Sequence, residues 1–200
     1  LTSLPGLSVT HAYAPSTVAS STFFVANVTI SNTTGSTLTD VKYVRVMDWD
    51  VPPTEFNEFV TIKGTATTTL LDDSHDNGFQ TANPLFDGNG SGGTNNVDFE
   101  DNGPADHGAY FRFKFGDLAT DASRTFQIFY GAAANESDAL AAIAAEGIEL
   151  FSLGQSARCV DGCRADDDAP TYIFGFKGVG GTPVIPNPVP EPASLALLGL

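Results

Sequence analysis

The sequence predicts a mostly β fold, an antiparallel β-sandwich of immunoglobulin-like or jelly-roll-like type with one short α-helix. Three observations predict it. Apolar and polar residues alternate at period two in many short runs. Turn-forming residues separate those runs. Fifteen Phe stand against one Met and one Trp in 200 residues, a composition suited to packing on pleated surfaces.

The elements follow in order. Residues 8–12 form a first strand, and residues 22–32 place Phe24, Ala26, Val28 and Ile30 on one face of a second. Asn32, Thr33, Thr34 and Gly35 then turn the chain. Segment 28–41, with Leu38 and Val41 returning to the interior, is similar to the strand–turn–strand of immunoglobulin-like repeats on bacterial surface proteins. Residues 41–47, 59–63 and 67–71 are the next strands, with Pro52 and Pro53 breaking the run between the first two. The clearest alternation lies at 110–115, where Phe111, Phe113 and Phe115 face one way and Tyr110, Arg112 and Lys114 the other. Strands at 125–130, 148–153 and 171–176 complete the set. One segment breaks the pattern. Residues 135–146 read as a helix capped by Asn135, with Asp138 in capping-box position, an apolar stripe of Leu140, Ile143 and Ala144, and Gly147 as the left-handed stop.

Acidic residues number 24 and basic residues 9, a net charge of −15. Phosphate backbones and anionic lipid surfaces are repelled by such a chain, which argues against nucleic acid or lipid headgroups as partners. Solubility, divalent cations and cationic partners are favoured. Cys159 and Cys163, separated by Val160, Asp161 and Gly162, are one residue too far apart for a redox Cys-x-x-Cys pair and lack companion zinc ligands. A structural disulfide closing a small loop is the expectation.

Four groups of residues carry side chains suited to chemistry. Asp72, Ser74 and Asp76, with Gly78 after them, place oxygen ligands at alternate positions as in the first half of a calcium loop. The sixth and twelfth positions hold Asn77 and Asn83 where such loops use Gly and Glu, and a polar turn is the competing reading. Trp49 lies between Asp48 and Asp50; a core Trp plugging the sandwich end fits better than a sugar platform. A platform would need Trp49, Tyr43, Tyr110, Tyr130 or Tyr172 on one solvent face. Asp106 could orient His107, but no activated serine motif accompanies them, so no catalytic constellation is assigned. The acidic runs 98–106 and 166–168 read as solvated loops, and the Gly/Asn-rich stretch 87–96 as a mobile one.

The chain ends in Val189, Pro190, Glu191, Pro192, Ala193 and Ser194, then Leu195, Ala196, Leu197, Leu198, Gly199 and Leu200. This run resembles the PEP-CTERM sorting signal of Gram-negative bacteria, in which a Pro-Glu-Pro motif precedes a membrane helix and a basic tail. The body, through Asp48 to Thr54, Gly103 to Gly108, Phe129 to Ala133 and Phe174 to Gly181, resembles an uncharacterised family of exported PEP-CTERM proteins. The resemblance implies sorting by an exosortase through Val189, Pro190, Glu191 and Pro192 to the cell surface or exopolysaccharide matrix. A spanning helix needs about 20 apolar residues, so the expectation is a piece of a longer precursor that has lost a signal peptide and part of its anchor. The organisation expected is a sandwich domain at 1–182, a Pro-rich linker with the motif at 183–192, and the start of a membrane anchor at 193–200. The function expected is a structural or adhesive role in biofilm or exopolysaccharide. A carbohydrate-binding module and, behind it, a secreted hydrolase are the alternatives.

Overall fold

A computed structural model describes residues 5–185; the sorting-signal residues lie outside them. Among these residues the architecture is an antiparallel β-sandwich with one helix. Seven strands form the larger sheet in the order β1 (Leu7–Pro15), β2 (Phe23–Asn32), β8 (Ser123–Ala133), β12 (Thr171–Lys177), β9 (Leu150–Gln155), β4 (Glu58–Lys63) and β6 (Phe99–Ala105). Three form the smaller, with β7 (Gly108–Leu118) between β3 (Leu38–Asp48) and β5 (Leu71–His75). A small hairpin, β10 (Ala157–Cys159) and β11 (Cys163–Ala165), is closed by the Cys159–Cys163 disulfide.

The alternation read at β7 buries Phe111, Phe113 and Phe115 between the sheets. Opposite them stand Phe126, Phe174 and Phe176, with tilted or edge-on ring pairs such as Phe113–Phe176 at 4.9 Å and Phe115–Phe126 at 5.2 Å. Such pairs gain about 0.5–1.5 kcal/mol beyond area burial. The larger sheet is also apolar on its outer face. There Phe23, Val25, Phe129, Phe151, Leu153 and Ile173 pack under the helix, α1 (Glu136–Glu146).

Topology explains why a helix occurs in this β-rich chain. β8 and β9 both run antiparallel to β12, so they are parallel to each other. A parallel pair cannot be joined by a hairpin and needs a crossover over the sheet face, which α1 supplies. Its caps form as the sequence indicates: Asn135 accepts from the Asp138 N–H at 2.8 Å, and Gly147 adopts φ 66°. The buried stripe is rotated from the expected one and consists of Ala139, Ala142, Ile143 and Glu146. Ala144 faces solvent. Small alanines let α1 lie close to the sheet, and the buried Glu146 carboxylate accepts from Ser16 Oγ and the Ala19 N–H, tying the β1–β2 turn to the helix.

Two expectations need correction. The strand expected at 67–71 starts four residues later, because 65–67 and 69–70 form turns and β5 begins at Leu71. The acidic stretch expected as a loop at 98–106 contains edge strand β6, held to β4 through irregular register. Past β12, Glu149 accepts the N–H groups of Gly178, Val179 and Gly181, and the Val184 N–H bonds Ile148 O at 2.9 Å. The body thus holds the chain two residues past the boundary expected at 182.

Candidate functional site

Two regions collect the side chains capable of binding or chemistry. The first is the outer face of the smaller sheet. A bulge between Leu71 and Asp73 breaks the alternation of β5, so Asp72, Ser74 and Asp76 do not share a face. Asp72 accepts from Arg112 Nε at 2.6 Å and lies 3.8 Å from Lys42 Nζ. Ser74 sits opposite Phe111, its N–H bonded to Asn96 Oδ1. Asp76, fully buried, accepts from Ser91 N and Oγ, Thr94 Oγ1, Asn102 Nδ2 and His107 Nδ1. Among the described residues, no group of three or more His, Cys, Asp or Glu side chains is arranged to hold a metal ion.

The hydrogen bonds on Asp76 fix its charge state. Burial pushes its carboxyl upward, but bonds from His107, Ser91 and Thr94 outweigh this and hold it well below the usual carboxylate range. His107 also faces Glu58 O through Nε2 at 3.2 Å, and its backbone N–H donates to Glu58 Oε1. Burial raises the Glu58 carboxyl, whose Oε2 has no partner among the described residues.

The stretch 87–96, expected to be mobile, is packed onto this face. His75 stacks on Tyr110 with centroids 4.4 Å apart and rings 8° from parallel. A Cβ at Gly88 would fall 1.9 Å from His75 Nε2, and one at Gly90 would fall 2.5 Å from His75 Cβ. Glycine lets the backbone lie on the imidazole. Arg112 Nη1 donates to Phe86 O at 2.6 Å, and Asp73 Oδ2 accepts from the Gly88 N–H. Tyr110, outward by alternation, is therefore 0% exposed.

The second region is the lateral edge where β1 faces β3. On the inner face of the larger sheet, Pro15 pairs with Phe24, and Phe24 with Tyr130. Tyr13, on the same face, has its ring 6.4 Å from that of Tyr130. The smaller sheet does not cover this flank: Tyr13 is 58% and Phe24 61% exposed. Tyr130 is half-buried and stacks inward on Phe174 at 5.6 Å. From β3, Arg45 lies over the Tyr130 ring at 5.9 Å and donates from Nε to Tyr130 Oη at 2.9 Å. His11 Nε2 and Tyr43 Oη, 2.9 Å apart, close the inner side. Burial and then Arg45 lower the His11 pKa, while burial raises the Tyr43 and Tyr130 phenols.

Of the platform residues considered from sequence, Trp49, Tyr43 and Tyr110 are buried and Tyr172 is half-buried. Trp49 donates to Ser152 Oγ at 3.1 Å and occupies the space a Cβ at Gly154 would need, which is the core role expected. Only Tyr130 joins an exposed aromatic surface, with Tyr13, Phe24 and Arg45 as partners that the sequence reading did not identify. Alternation put Phe24 on the correct face, but the width of the covering sheet carries no local signal. Comparisons with protein families, with characterised proteins and with solved structures find no match to this chain.

Proposed function

We propose that the chain is an exported structural or adhesive module of the surface or extracellular matrix of a Gram-negative bacterium. Its address rests on Val189, Pro190, Glu191 and Pro192 as an exosortase-read signal. The observation that carries the role is how the fold uses its ionisable groups. An acid–base pair must keep a proton-accepting atom open to substrate, yet both His107 ring nitrogens face Asp76 and Glu58 oxygens and Asp76 takes five donors, from Ser91, Thr94 and His107 in loops and Asn102 in β6. These groups fix two loops to a sheet, as suits a durable displayed module.

A second reading, a carbohydrate-binding module, is favoured by the exposed Tyr13–Phe24–Tyr130 surface. The test of the first reading is fractionation of a host that carries an exosortase. The wild-type precursor partitions to the cell surface and matrix, and a Pro190→Ala/Pro192→Ala variant is retained in the membrane fraction. Deletion weakens matrix cohesion. Wild-type protein recovered from the cytosol, or a deletion strain with unaltered matrix, overturns it.

A further inference from the structure

We propose that the β1–β3 edge binds a pyranose bearing a carboxylate, as in a uronic-acid-containing polysaccharide, with Tyr13, Phe24 and Tyr130 under the sugar and Arg45 on its carboxylate. The inference rests on the carbohydrate-binding reading and specifies its ligand. Three observations meet here. Aromatic faces are exposed on one side of one sheet, at Tyr13 and Phe24, with Tyr130 continuous with them and braced from below by Phe174. A braced aromatic ring offers a large contact area at little cost in conformational entropy. The flat C–H face of a pyranose is the complementary surface for it.

Charge supplies the specificity. Lys42, Lys63, Lys114, Arg112 and Arg158 each pair with a carboxylate. Arg45, like Arg124, Arg164 and Lys177, pairs with none among the described residues, although acids outnumber bases by 24 to 9; of these four it is the one that stands beside the exposed aromatic surface. Its Nε is taken by Tyr130 Oη, which sets the guanidinium plane, and neither Nη donates to an acceptor among the described residues. The groups facing it are His11, Tyr13, Tyr43 and Tyr130. His11 is biased toward its neutral form, and Tyr43 and Tyr130 toward their protonated forms, so Arg45 is the local charge. A fixed guanidinium with two free nitrogens fits a carboxylate by paired hydrogen bonds. The net charge of the chain acts at longer range and is screened beyond about 8 Å at physiological ionic strength, whereas Arg45 acts at contact.

The test uses the whole chain in calorimetric titrations with a tetra-uronate and a neutral tetrasaccharide of the same linkage, at two salt concentrations. The uronate is expected to bind at least tenfold tighter. Arg45→Gln should remove that preference by lowering uronate affinity at least tenfold, to that of the neutral sugar, and Tyr13→Ala and Phe24→Ala should weaken both ligands about tenfold. Both aromatics are exposed, so these two variants test the site without emptying the core; melting curves confirm folding. Equal binding of the two sugars, insensitive to Arg45→Gln, overturns the acidic-sugar inference and leaves the carbohydrate reading standing. Binding unaffected by Tyr13→Ala and Phe24→Ala overturns the location. Binding of neither sugar overturns both readings.

Discussion

The outer face of the smaller sheet and the β1–β3 edge start from similar material and end differently. Each presents tyrosine, histidine and arginine from alternating strands. On the smaller sheet the β5–β6 connection folds back, its glycines lying on His75, and Tyr110 and Arg112 disappear from solvent. At the edge no such connection crosses among the described residues, and Tyr13 and Phe24 remain open. Strand alternation sets which face a ring occupies. Whether the ring becomes core or surface is decided by what the loops do next.

The largest expected effect tests the covered face. Tyr110→Ala leaves His75 without its stacking partner and opens a cavity under 86–90, so denaturant unfolding should show a loss of about 3–5 kcal/mol. A loss under about 1 kcal/mol would mean the loop does not seal that face. Asp76→Asn comes next. It removes charge from a site with five donors, at a cost of about 2–3 kcal/mol, and flattens the acid limb of stability. The sign follows from the depressed carboxyl of Asp76: its contribution is complete above the unfolded value of 3.8 and is lost as pH falls toward the lower folded value. Wild-type and variant curves of stability against pH should therefore converge in acid.

Glu136 should behave in the opposite sense. Burial, then the charges of Asp167, Asp101 and Glu100, push its carboxyl up to about 7 from 4.5. Its folded form keeps a proton that the unfolded chain has released, so stability declines as pH rises between those values. Glu136→Gln should stabilise the protein by about 1 kcal/mol at pH 8, after allowance for solvent screening, and change little at pH 4. Calcium tests the alternate-oxygen pattern of Asp72, Ser74 and Asp76 directly. With Asp72 held by Arg112 and Asp76 by His107, melting in excess calcium and in EDTA should coincide to within about 1 °C. A rise of several degrees in calcium that Asp72→Asn/Asp76→Asn abolishes would establish the ion as part of the fold. The smallest effect belongs to the open edge: Phe24→Ser should change stability by less than about 0.5 kcal/mol. A larger loss would show that this ring is covered in solution.

Much of the fold was legible because its signals are local. The Phe111–Phe113–Phe115 alternation, the Asn135 cap and the Gly147 stop each depend on a few neighbouring residues, and each appears where the sequence places it. The bulge at Asp72 was not legible. It changes which face Asp72 occupies, and only pairing with β7 creates it. The glycines of 87–96 signal backbone freedom equally well for a mobile loop and for one pressed on His75; the imidazole beneath them is distant in sequence. Likewise, Tyr13, Phe24, Arg45 and Tyr130 come from four strands, and their meeting depends on sheet order and on the unequal widths of the two sheets.

The placement of β12 has a mechanical consequence. It is the last strand among the described residues, yet it lies inside the larger sheet, with seven residues in register against β8 and five against β9. A load applied to the chain beyond residue 185 first meets the Val184 bond and the Glu149 clasp. It then reaches a strand bonded on both flanks, whose removal would split the sheet in two. A pull on the first residues meets only β1, an edge strand bonded on one side. The C-terminal end is therefore the better place to moor this domain, because tension there is carried by the interior of the sheet rather than by its margin.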